Sequence, residues 1–257
     1  VTPDSFYDGG LYMESERAVM HASEMFAGGA SLVDVGAEST NPRSRPLDPI
    51  NEWQRLAPVL EPLLEEFPGQ ISVDTYHPDT ARKALMLGAT IINDVTMFRD
   101  PAMIDVIVEY LDRAPRLIVS HLSPKAKSIT AAHSMQPPPT TDIQEVIDEL
   151  LAARNGLIAR GVPEDRIVLD PGIGFGKPMF LNWQLLGLAR LIPDNIDVMI
   201  GHSGKRFLAH DSESGQPLYK TDAEKRELQS STKRNLLAAR IAIKAGTRYL
   251  RVHNVPL

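Results

Sequence analysis

The sequence predicts an α/β protein whose parallel sheet rolls into a (β/α)8 barrel, lacking strand 1 and the last helix in the chain given. Three observations carry this. Short Val-, Ile- and Leu-rich runs alternate with helix-length segments along the whole chain, and parallel strands need crossovers that helices usually supply. The alternation opens with a helix that has no strand before it and closes with a strand that has no helix after it, as one βα unit split across the two ends would give. Lastly, 257 residues with 43% hydrophobic content suit a single barrel core, so residues 1–257 are read as one domain.

The elements follow in order. Val1 to Gly10 reads as a loop, with Pro3, Asp4, Ser5 and an Asp8-Gly9-Gly10 turn. A helix from Ser15 to Ala27 is closed by Gly28-Gly29 and leads to the strand Leu32–Val35. A polar, proline-bearing loop, Glu38 to Pro46, precedes a helix from Ile50 to Phe67. Ile71–Asp74 precedes a helix opened by Pro78 and ended by Gly88, and Ile91–Val95 precedes one opened by Pro101. After Leu117–His121 comes a loop of about 20 residues containing Pro137-Pro138-Pro139; a lid or a disordered segment would each account for it. Helices at Ile143–Arg160, Trp183–Leu191 and Glu227–Ala245 then alternate with strands at Ile167–Leu169, Val198–Gly201 and Tyr249–Val252.

Composition narrows the partners. The 27 basic and 33 acidic residues give a net charge of −6, without the polybasic block that nucleic acid or anionic lipid would require. No nucleic-acid partner is expected. No apolar run approaches the roughly 18–20 residues of a membrane helix, so no membrane partner is expected either, and no signal peptide is visible behind Val1. The chain has no cysteine, which excludes disulfides and thiolate metal sites and fits a reducing, cytoplasmic setting.

The most informative stretch runs from Ile167 to Lys177, where an apolar strand ends in Asp170 and opens into a loop with Gly172, Gly174, Gly176, Phe175 and Lys177. A strand end can aim a carboxylate into a ligand cavity, and the glycines allow close backbone approach. It is not a phosphate-binding P-loop, because Pro171 and Pro178 occupy required positions. The dinucleotide fingerprint also fails, since Gly176 lies two residues after Gly174 rather than three. The other strand ends are polar too: Asp74, Asn93-Asp94, His121, Ser203 with Lys205, and Arg251 with His253. Any one of these could cap a helix or serve a turn. Seven groups around one barrel mouth make a binding site. Asp74 and Asp170 accept, Lys205 is a fixed cation and Asn93 does both, which suits a flat polar heterocycle. Arg251 and His253 alternate along the last strand and can grip an anion.

The chain resembles the dihydropteroate synthases, enzymes of folate synthesis with a TIM-barrel fold. The matching segments are Val1-Thr2-Pro3-Asp4-Ser5-Phe6 with Asp8-Gly9-Gly10, Asp34-Val35-Gly36 with Glu38-Ser39-Thr40, Ser72-Val73-Asp74-Thr75, Ile91-Ile92-Asn93-Asp94, Leu169 through Lys177, Ser203 with Lys205, and Arg251-Val252-His253. The resemblance implies condensation of 6-hydroxymethyl-7,8-dihydropterin pyrophosphate with p-aminobenzoate, releasing pyrophosphate, by a homodimer that uses Mg²⁺. It implies that Asp74, Asn93, Asp170 and Lys205 hold the pterin, with Asp74, Asp170 and Lys205 as the catalytic set. Thr40, Arg251 and His253 would hold pyrophosphate. Pro42, Phe175, Lys177 and Ser203 would form the p-aminobenzoate side, which sulfonamides occupy in the family. The family's metal-binding asparagine would precede Val1, so the metal ligands are left unassigned.

Three positions depart from the family pattern. Asn41 stands where an arginine is usual, Gly204 replaces the middle residue of Ser-Arg-Lys, and Asn254 replaces an aspartate. Arg43, Arg45 or Arg206 would have to supply the missing charge. Two other readings therefore stay open at this point: a degenerate pterin-binding homologue with weak or no synthase activity, and a pterin-dependent methyltransferase domain.

Overall fold

In the computed structural model the described residues are 11–37, 47–126, 140–253 and 255. Seven strands form one parallel sheet in sequential order: β1 (Val33–Gly36), β2 (Ile71–Asp74), β3 (Ile91–Asp94), β4 (Arg116–Ser120), β5 (Ile167–Asp170), β6 (Asp197–Gly201) and β7 (Tyr249–Arg251). Sequential order with a helix between neighbours curls the sheet towards a barrel. Among the described residues β7 does not pair with β1, so the sheet is open along one seam. Thr40, Pro42, Asn41, Asn254, the Val1–Gly10 loop and residues 127–139 of the long loop lie outside the described residues.

The strands are short and buried on both faces, which is why they read as continuous apolar runs. Their outward side chains, including Val35, Val73, Ile92, Val119 and Leu169, pack with helix residues such as Leu56, Leu60 and Leu63 into the main core. Ile91, Ile118, Val168 and Met199 form a second, smaller cluster inside the curl. Alternation along each strand then raises Asp74, Asn93, Ser120, Asp170, Gly201 and Arg251 two residues or more above this apolar floor.

Helices α1 (Leu11–Ala27), α2 (Pro49–Glu66), α3 (Pro78–Leu87), α4 (Pro101–Glu109) and α5 (Ile143–Ala159) cover the outside. The start signals expected at Pro78 and Pro101 operate, opening α3 and α4; Pro49 opens α2 in the same way, and Asp48, Asp100 and Asp142 accept from first-turn amides. Two helices differ from the sequence expectation. The one placed at Trp183–Leu191 is α6 (Met179–Gln184) followed by a 3₁₀ segment Leu185–Arg190, because Pro178 starts it early and Gly187 favours no α-helical continuation. The one placed at Glu227–Ala245 is two helices, α7 (Asp222–Ser230) and α8 (Thr232–Lys244). A Thr221–Glu224 capping box starts α7, and at the break the Asn235 side-chain amide donates to the Gln229 carbonyl and to the Ser231 carbonyl, which also accepts from the Asn235 backbone.

A candidate active site at the barrel mouth

A cavity of about 670 Å³ runs along the open seam of the sheet, from α1 and the strand starts at Leu32, Arg116 and Arg248 to the C-terminal strand ends, where Asp34, Asp74, Ser203, Lys205, Arg251 and His253 line it. Arg251 donates to Asp34 Oδ2 at 2.9 Å and lies 3.5 Å from Asp74 Oδ2. The Asn93 amide donates to the same Asp34 oxygen at 3.2 Å, and its own oxygen accepts from the Ser120 hydroxyl at 3.2 Å. This network fixes which way the Asn93 amide faces. A Cβ on Gly201 would sit 3.3 Å from Arg251 Nε and 3.6 Å from Lys205 Nζ, so the absence of a side chain there lets the two cations converge.

Burial and the adjacent Asp34 carboxylate raise the Asp74 pKa, against the pull of Arg251. Burial alone would lower the Arg251 pKa, but the Asp34, Asp74 and Asp170 carboxylates outweigh it and hold the guanidinium charged. Burial and the Arg251 charge push the Lys205 ammonium down to about 7. It is therefore a pH-dependent cation, not the fixed one expected from sequence. Its Nζ donates to the Ile173 carbonyl at 2.6 Å and lies 5.1 Å from the centre of the Phe175 ring.

Asp170 is buried at the end of β5 and accepts from the Gly172 amide at 2.7 Å. Gly172 has a φ of +60°, and a Cβ there would lie 2.0 Å from the His121 carbonyl oxygen. Only glycine fits. Ser203 meets the His253 amide at 3.4 Å, and His253 is held below its usual range by partial burial and by Arg251 and Lys205. Phe175 and Lys177 are both buried in the loop after β5. The Lys177 ammonium, which burial lowers to about 7, donates to the carbonyls of Gly172, Phe175 and His121 at 3.0, 3.1 and 3.4 Å.

Two of the seven expected strand-end groups do not join the mouth. Asp94 follows Asn93 directly, so alternation turns it to the opposite face, where it accepts from the Thr96 amide and hydroxyl and the Phe98 amide. His121 follows Ser120 and likewise turns outward, meeting Glu149 on α5 at 2.8 Å. Conversely, sequence reasoning passed over Asp34 and Ser120 as site residues. The available signal was Asp34 itself, a carboxylate in the middle of a buried four-residue strand, where a charge requires a partner.

Comparisons with known proteins identify the family. A family model described as "Pterin binding enzyme" matches residues 1–253. A dihydropteroate synthase of Mycobacterium leprae is 35% identical over 258 residues, covering 99% of this chain and 86% of that protein. The structure of Xanthomonas albilineans dihydropteroate synthase with 4-aminobenzoic acid matches with a TM-score of 0.80 at 32% identity, covering 99% of this chain and 85% of the other. The same enzyme with 7,8-dihydropteroate matches at 0.76 and 31% identity, with coverage of 99% and 85%. With a buried acceptor at Asp170, a cation pair over Gly201 and this match along nearly its whole length, the chain belongs to the dihydropteroate synthases of the pterin-binding enzyme family.

Proposed function

We propose that the protein condenses 6-hydroxymethyl-7,8-dihydropterin pyrophosphate with p-aminobenzoate to give 7,8-dihydropteroate and pyrophosphate. The observation that carries this reading is the single polar layer in which Asp34, Asp74, Asn93, Arg251 and Lys205 meet above an apolar floor. Asp170, Asn93, Asp74 and Lys205 hold the pterin: the carboxylates accept from its N–H groups and the oriented Asn93 amide reads its edge. Arg251 and His253 hold the pyrophosphate, with Thr40 from the loop after β1. Phe175 and Ser203, with Pro42 and the Lys177-bearing loop, form the p-aminobenzoate side. The arylamine nitrogen forms the new C–N bond as the C–O bond to pyrophosphate breaks and takes its electron pair; the amine proton passes to solvent.

Mg²⁺ fits the residues present. Among the described residues no group of three or more His, Cys, Asp or Glu side chains gathers as a metal cluster, but Asp34 and Asp74 share one Arg251 nitrogen. Burial and the neighbouring Asp34 carboxylate hold the Asp74 pKa up, a repulsion that a cation relieves. Magnesium is commonly held by one or two carboxylates together with phosphates and water, so Asp34 and Asp74 would hold it. When bound, the ion neutralises charge on the departing pyrophosphate. The reading includes a homodimer, for which α8 offers the exposed Leu236, Leu237, Ile241 and Ile243, and a cytoplasmic setting, which suits a chain without cysteine. No described helix is long and apolar enough to cross a membrane.

The test is p-aminobenzoate-dependent release of pyrophosphate from the dihydropterin pyrophosphate, with Mg²⁺ present and the product identified by mass. Formation of dihydropteroate supports the reading. Pterin binding without release would instead support a degenerate binding homologue.

A further inference from the structure

The loop after β5 carries the pterin acceptor Asp170 at one end and the aromatic Phe175 near the other, so its shape decides how the two substrates meet. Its glycines give it little intrinsic rigidity: Gly172, Gly174 and Gly176 all have positive φ, and glycine backbones lose more freedom on ordering than any other. Something must hold it. Lys177 is 4% exposed and its ammonium reaches three backbone carbonyls, those of Gly172 and Phe175 within the loop and of His121 at the end of β4. An ammonium has three donors and no acceptor, so these contacts use its full capacity and none is left for a ligand.

A second buried group works in the same way. Asn182 on α6 is 0% exposed. Its oxygen accepts from the Gly174 amide at 2.6 Å, and its amide donates to the Lys177 and Pro178 carbonyls at 3.2 and 2.9 Å. The charged and titratable groups facing Lys177 are Asp170 and Glu149, which favour its charge, and Lys205, which opposes it; His121 adds its carbonyl. Gly172 presses against that same carbonyl, so Lys177 closes a joint that glycine alone makes possible.

We propose that Lys177 is a positioning residue and not a p-aminobenzoate ligand: its buried ammonium pins the Gly172–Gly176 loop to the end of β4 and so sets the places of Asp170 and Phe175. This rests on the synthase reading above for what those two residues do. It departs from the role that family resemblance gives Lys177.

The test is Lys177→Met, which keeps the length and removes all donors, read first by amide hydrogen exchange of residues 172–176 without substrate. We expect exchange there to accelerate at least tenfold, the KM for p-aminobenzoate to rise at least tenfold, and Lys177→Gln, with two N–H donors, to recover part of both. Unchanged loop exchange with lost p-aminobenzoate binding would make Lys177 a direct ligand and overturn the proposal. Unchanged exchange together with unchanged kinetics would overturn it equally. If the Met variant does not fold, acylation of the wild-type protein decides: an anchored Lys177 reacts at least tenfold more slowly than the exposed Lys233, whereas equal rates would rule anchoring out. Because exchange and acylation need no turnover, their outcome stands apart from any failure of the synthase reading.

Discussion

Arg251 on the last strand donates to Asp34 on the first at 2.9 Å, joining residues 217 positions apart across the open seam of the sheet. The pair does two things together. It holds the guanidinium where an anion can meet it, and it holds the Asp34 side chain beside Asp74. Asp34→Asn is therefore expected to lower kcat/KM roughly ten- to a hundredfold, the loss of a charge-assisted contact, while the melting curve stays cooperative. Steady-state kinetics with calorimetric melting would check both.

Ser120 touches no open part of the cavity, yet its hydroxyl sets the Asn93 amide. Ser120→Ala leaves a buried amide oxygen without its donor, at about 1–3 kcal/mol. The expected result is several-fold weaker pterin binding together with lower stability. Titration calorimetry and urea unfolding separate the two.

Two glycines with similar backbone angles should respond very differently. Gly204 has a φ of +66° and open space, with His253 Nδ1 3.8 Å from a would-be Cβ. Gly204→Ala should cost only the left-handed strain, about 1–2 kcal/mol. Gly172→Ala adds a collision at 2.0 Å with backbone and should cost roughly 4 kcal/mol or more, beyond the usual range for single substitutions. Chemical denaturation of the two variants is the measurement.

Lys205 gives a pH dependence whose sign can be worked out. Burial and Arg251 lower its pKa from 10.5 to about 7 in the native state. Between these values the unfolded chain holds a proton that the folded chain has lost, so this group's contribution to stability rises with pH through that window. Pterin affinity should move the other way, falling as pH is raised through about 7, since the ammonium donor is lost. Lys205→Met should flatten that fall in calorimetric titrations.

His121 lies outside the mouth. Burial, with the Lys177 charge second, holds its pKa well below 6.5, so acid charges the unfolded chain first and native stability falls below about pH 6.5. His121→Gln should leave kcat/KM within about threefold while softening that acid instability. A larger loss of turnover, with the fold intact, would return His121 to the catalytic mouth.

Much of the fold and of the site is legible in the sequence. The Asp170-Pro171-Gly172 sequence marks a strand end that opens into a tight loop, and Pro78 and Pro101 mark helix starts by local chemistry. Asp94 and His121 misled because a polar residue at a strand end looks the same whichever face it takes. Parity settles it: each directly follows an inward neighbour, Asn93 or Ser120. Asp34 was hidden for the opposite reason, since it sits within its strand and its meaning depends on Arg251, far along the chain. The break at Ser231 was illegible because tertiary contacts, through Asn235, decide where the helix divides.

The Asp34–Arg251 contact also bears on how the enzyme comes into being. Chains are made from the N-terminus at about 5–20 residues per second, so Asp34 waits some ten seconds or more on the ribosome before its partner exists. Until then the three carboxylates that act on Arg251, those of Asp34, Asp74 and Asp170, lack the guanidinium that balances them. The nascent mouth thus holds uncompensated carboxylates, and β7 brings the guanidinium that offsets them. Such late, long-range closure is a slow step by its topology. It gives the chain an interval in which a chaperone, or the N–H donors of the pterin, would find an acidic opening rather than a finished pocket.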